Sequence, residues 1–114
     1  MDFTFKTERK NGHAIIHLNG MLMDKTHSAP LLTEVETIIK EGINRFVINL
    51  AGMDYMNSSG LNTLVNILTK ARTKGGEVMV SNVSEKVKQL FLITKLNTLF
   101  TITNSTEEAE KLIL

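Results

Sequence analysis

The stretch INRFVINLAGMDYMNSSGLNTL, residues 43–64, decides how the rest of the chain is read. From Ile43 to Leu50 it is a compact run of β-branched and aromatic residues bounded by Gly42 and Gly52, the composition of a strand buried on both faces. From Leu61 the apolar positions recur at helical spacing, through Leu64, Val65, Leu68 and Ala71, until Gly75-Gly76 ends the pattern. A buried strand leading into an amphipathic helix is half of a βαβ unit, so the neighbouring segments are read for its continuation.

Upstream, Phe3 and Phe5 and then HAIIHLNG are strand-like runs around Asn11-Gly12. Asn-Gly is a preferred two-residue hairpin turn because both positions need positive φ, so an opening antiparallel hairpin is predicted. Leu31, Leu32, Val35, Ile38 and Ile39 mark a first helix, with Pro30 in its first turn and Gly42 as its stop. Downstream come a strand in EVMVSN, a helix capped by Ser84, a strand in LFTIT, and a last helix opened by the capping box Ser105 and Glu108.

The predicted fold is therefore α/β in a single domain over residues 1–114: a mostly parallel sheet opened by an N-terminal antiparallel hairpin, with about four helices. The loops leaving the carboxyl ends of parallel strands share one rim, where open α/β folds place their chemistry. The predicted rim loops are residues 20–27, 51–58, 81–84 and 103–105.

Composition narrows the chemistry. Hydrophobic residues make up 42% of the 114 and proline occurs once, as in a folded globular chain. Thirteen Lys and Arg against twelve Asp and Glu leave a net charge of +1, which offers a polyanion such as nucleic acid no long-range attraction. The absence of cysteine removes disulfides and thiolate chemistry together. No signal-peptide pattern opens the chain, and the longest apolar run, Leu90 to Ile93, is far below the roughly 20 residues that span a bilayer. A cytoplasmic protein without membrane insertion is expected. His13, His17 and His27 complete no metal pattern, paired catalytic acids are lacking, and no phosphate-binding glycine loop is present. The expectation is a binding protein, not an enzyme, with no cofactor and no metal.

On the predicted rim, Asn57 or Ser58 can serve as the N-cap of the second helix. Equally, a serine hydroxyl at a helix N-terminus can accept a phosphoryl group, because free amides and the helix dipole tolerate the new charge. Gly60 would let another surface approach the backbone. Four of the six methionines, Met21, Met23, Met53 and Met56, fall in two rim loops beside Tyr55. Methionine is favoured on adaptable protein-binding surfaces, although Met53 or Met56 can also turn back into the core.

The order of elements, with Met56-Asn57-Ser58-Ser59-Gly60-Leu61, LFLITKL at 90–96 and Phe100 to Ala109, resembles the STAS domain, specifically the free-standing anti-sigma factor antagonists of bacteria. In that family the serine directly before Ser/Thr-Gly is phosphorylated by an anti-sigma factor that is also a serine kinase, and only the unphosphorylated antagonist binds that partner. The resemblance implies Ser58 as phosphoacceptor and Met21, Met23, Asp24, Met56, Asn57, Ser59, Gly60 and Leu61 as the partner-binding surface. Two departures stand out: the family's Asp before the phosphoserine is Asn57, and its Gly-Glu-Leu-Asp loop is here Gly20-Met21-Leu22-Met23 with Asp24 one place late. They leave room for the alternative of a non-phosphorylated STAS subunit in a transport or stress-sensing assembly.

Overall fold

Because each strand pairs with the one before it, every right-handed crossover in this chain deposits its helix on the same face of the sheet. The computed structural model describes residues 3–23 and 25–113. Its elements are β1 (Thr4–Arg9), β2 (Ala14–Leu22), α1 (Lys25–Lys40), β3 (Arg45–Met56), α2 (Ser58–Thr73), β4 (Glu77–Ser81), α3 (Glu85–Ile93), a 3-10 turn (Leu96–Thr98), β5 (Thr101–Thr103) and α4 (Thr106–Ile113). The sheet order is β1-β2-β3-β4-β5, antiparallel between β1 and β2 and parallel thereafter. This is the predicted α/β architecture.

The strand alternation divides the interior in two. Ala14, Ile16 and Leu18 of β2, with Phe46, Ile48 and Leu50 of β3, face α1, α2 and α3 in the larger core. Ile15, Val47 and Met79 point the other way and are covered by Ala109 and Ile113 of α4. Two-sided burial explains why β2 and β3 are continuously apolar at their centres. Farther along that second face the polar side chains interlock. His17 lies 2.8 Å from a Glu8 carboxylate oxygen and 2.9 Å from the Asn49 amide, and the histidine's hydrogen bond holds the Glu8 carboxyl below its ordinary range. His13 is buried with its Nε2 2.7 Å from Glu110 on α4.

Both long helices on the large face end alike. After α2 the Gly75 amide donates to Arg72 at 2.9 Å and the Gly76 amide to Ala71 at 2.8 Å; after α1, Gly42 and Ile43 repeat the pattern onto Ile39 and Ile38. These are Schellman caps, and the positive φ of Gly42 and Gly75 is what they require.

Four local expectations are corrected. The opening turn is not the mirror-image type with positive φ at both positions, because only Gly12 has it. Helix α1 begins at Lys25, so Pro30 lies inside it. The proline offers no N–H to the Thr26 carbonyl, but Thr26 is exposed, and packing of the first turn, where the His27 ring stacks on Phe3, outweighs that lost bond. Strand β3 runs to Met56 instead of stopping at Leu50, and β2 runs to Leu22, so most of the predicted rim loop 51–58 and the start of 20–27 are sheet. Asn19, Gly20, Met21 and Leu22 pair with Gly52, Met53, Tyr55 and Met56 across two register shifts. Gly52 permits this, because a Cβ there would meet the Asn19 side chain at 1.9 Å. Finally β5 holds only Thr101–Thr103, Leu99 and Phe100 being drawn off by the 3-10 turn and an edge-on contact of Phe100 with Phe91 at 5.7 Å.

Candidate functional site at the start of α2

The strand-to-helix junction settles which residue of the Asn-Ser-Ser segment caps the helix. Asn57 has extended backbone, with φ −103° and ψ −171°, and its Oδ1 accepts the Gly60 amide at 3.0 Å. Asn57 is therefore the N-cap, and its Nδ2 also donates to the Met23 carbonyl at 3.1 Å, tying the end of β3 to the segment after β2. Ser58 is the first helical residue. Its side chain is exposed and its hydroxyl has no hydrogen-bond partner among the described residues. With the Gly60 amide capped, the amides of Ser58 and Ser59 are first-turn donors without an intrahelical acceptor. The first turn of α2 carries no acidic residue, so the positive end of the helix dipole is not neutralised there.

Gly60 has an internal reason that sequence alone did not suggest. A Cβ on it would stand 2.1 Å from the Leu22 carbonyl oxygen and 3.0 Å from the Met56 Cβ. The close surface is the chain's own β2, not a partner. Met56 and Leu61 also belong to the core, each 1% exposed, so neither side chain is available for the partner contacts expected of them. Met53 is buried as well. Met21 is half-buried on β2 opposite Tyr55. What remains on the surface around Ser58 is Ser59, Met23 and Tyr55, the last two 37% and 38% exposed. Asp24 lies outside the described residues.

The structure adds a shallow trough beside Ser59, between the N-terminal halves of α1 and α2, lined on one side by Ala29 and Leu32 and on the other by Asn62, Thr63 and Asn66. Its signal in the sequence is the polar stripe Ser59, Asn62 and Asn66 in the N-terminal half of an amphipathic helix. The remaining rim loops are tied internally and stand apart from Ser58. The Asn82 amide reaches Asn49 at 3.0 Å and Thr106 at 3.3 Å, and the Thr103 hydroxyl donates to the Val80 carbonyl at 3.0 Å. No three His, Asp or Glu side chains converge as a metal set among the described residues.

The STAS domain profile matches residues 4–109, nearly the whole chain. The chain belongs to the STAS domain family. Among its relatives, the anti-sigma-B factor antagonist of Staphylococcus aureus is 28% identical over 108 residues, covering 94% of this chain and 98% of that protein. The crystal structure of an anti-sigma factor antagonist from Mycobacterium paratuberculosis superposes with a TM-score of 0.82 at 18% identity, covering 98% of this chain and 94% of the other. The phosphorylated form of the Bacillus cell fate determinant SpoIIAA gives 0.77 at 19% identity, covering 97% of this chain and 100% of the other. At such identities the two structural likenesses establish the STAS fold.

Proposed function

We propose that this STAS protein is an anti-sigma factor antagonist that docks on an anti-sigma factor serine kinase through the rim around Ser58, and that phosphorylation of Ser58 ends the complex. The observation that carries the reading is the Ser58 hydroxyl itself: exposed, released from capping by Asn57, and set at a helix start on a surface with Met23 and Tyr55. The named relatives support the regulatory class. In the transfer, the Ser58 oxygen bonds to the γ-phosphorus of ATP, the bond to the ADP oxygen breaks, and the hydroxyl proton leaves. A neutral amide cannot accept that proton, and the Asn57 side chain is engaged with Gly60 and Met23, so the kinase or solvent supplies the base. The product carries roughly −1.5 to −2 charge at neutral pH. Amides of the first turn stabilise it in the free protein, whereas against Met23 and Tyr55 buried by a partner it is an unpaired charge in a desolvated contact.

The test begins with the partner that co-purifies with the tagged protein. That kinase with ATP is expected to add one phosphate, mapped to Ser58 by mass spectrometry and abolished by Ser58→Ala but not by Ser59→Ala. A phosphate on Ser59 or Thr63 refutes the assignment. Tight binding with no phosphorylation of the wild type, which the amide of Asn57 favours, replaces it with the non-phosphorylated subunit reading.

A further inference from the structure

Among the described residues, three of the six exposed large hydrophobic side chains fall in one stretch: Leu92 at 47%, Ile93 at 76% and Leu99 at 38%. That stretch leads into the free edge of the sheet, where β5 pairs with β4 alone and so presents backbone N–H and C=O groups that no strand satisfies. Between α3 and β5 runs a trough of about 350 Å³ lined by Lys88, Leu92, Asn97, Phe100, Ile102 and Asn104. Its lining is mixed: Leu92, Phe100 and Ile102 are apolar, and the side-chain amides of Asn97 and Asn104 are not hydrogen-bonded among the described residues. We propose that this trough is a docking site for an acidic, extended, apolar-studded segment of a partner protein, laid beside β5.

The shape of the occupant follows from the edge. A strand added to β5 takes up its outward backbone groups and sends alternate side chains into the trough, where Leu92, Phe100 and Ile102 receive apolar ones. The two asparagine amides suit the ends of such a segment, whose backbone supplies both donors and acceptors. Its charge follows from the lysines. Lys88 is the charged residue that lines the trough, and it and its segment neighbours Lys86 and Lys95 are exposed and make no ion pair among the described residues. A second copy of this chain would set those lysines against their own likenesses, which disfavours self-pairing and favours an anionic visitor. The site shares no residue with the rim around Ser58, and β5 is two strands, roughly 10 Å, from β3. The docking proposed here does not rest on the phosphorylation proposed above.

The test is a titration of the isotope-labelled whole protein, followed by amide NMR, with two hexapeptide pools. Both pools alternate with Leu, Ile, Val or Phe; one carries Asp and Glu between them, the other Lys and Arg. The acidic pool is expected to give saturable shifts confined to the 86–104 region, and Lys88→Glu is expected to weaken it by about tenfold or more, since the surface charge is reversed without touching the core. Ile93→Ser, at a largely exposed position, should weaken it as well while leaving the rest of the spectrum in place. Equal binding of the basic pool, shifts centred on Lys40, Lys70 and Lys74 instead, or no saturable binding overturns the proposal. So does a dimer in sedimentation that Ile93→Ser dissolves, which would make the occupant a second copy, or binding to anionic phosphatidylserine vesicles in place of peptide.

Discussion

Replacing Asn57 by aspartate tests what an amide does at the start of α2 that a carboxylate would not. In the wild type the side chain works in both directions, accepting from Gly60 at 3.0 Å and donating to the Met23 carbonyl at 3.1 Å. Aspartate keeps the first bond but has no donor for the second, a loss of about 1 kcal/mol for a neutral, half-exposed hydrogen bond. It also turns a carboxylate oxygen toward that carbonyl. Against this, an anion at the helix start gains about 0.3–1 kcal/mol. The net expectation for Asn57→Asp is a loss of about 0.5 kcal/mol. Asn57→Ser retains an acceptor without the charge and should lose about 1 kcal/mol, and Asn57→Ala, which loses cap and tether together, about 2 kcal/mol. Urea unfolding at neutral pH with a common m-value gives the order directly, as midpoints falling from wild type through Asp and Ser to Ala. A serine variant at least as stable as wild type would refute the argument, because serine gives up the Met23 tether with no charge gained in exchange.

The same Asn57→Asp protein should be phosphorylated on Ser58 about tenfold faster by a cognate kinase that supplies no base of its own, measured as phosphate incorporation at equal occupancy. Met23→Glu should weaken kinase binding at least tenfold by calorimetry while the equally exposed Lys111→Glu on α4 does not, whereas Met56→Ala, at a core position, should instead cost about 3 kcal/mol of stability in urea unfolding. Gly60→Ala should destabilise by about 2 kcal/mol or more, since its methyl group meets backbone at Leu22 and not a movable side chain; a neutral result would show that the α2 start can shift.

What could be read beforehand followed the periodicity of burial. Ile43 to Leu50, the Leu61 stripe and the paired glycines after α2 each state their element, because an apolar run and a helical repeat have one economical burial. The second half of β3 was illegible for the same reason. Met53 and Met56 are three apart, a spacing no regular strand produces, and only the register shifts against β2 bring both inward. Ser58 as the start of α2 was legible, but not its release from capping, since Asn and Ser are equivalent caps and the choice rests on the carbonyl of Met23, distant in sequence. The methionine cluster overstated the exposed surface: packing consumes Met53 and Met56 and leaves Met23 outside.

The unbroken strand order has a consequence for biosynthesis. Each strand from β2 to β5 meets a neighbour that has already left the ribosome, so no edge waits for a later segment to be threaded beside it. The exception is the second face. Ile15, Val47 and Met79 are made early and are covered by Ala109 and Ile113 of α4, which follow the last strand. Until α4 has emerged, that face stays open to chaperones and proteases, and docking of the eight residues Thr106–Ile113 closes it.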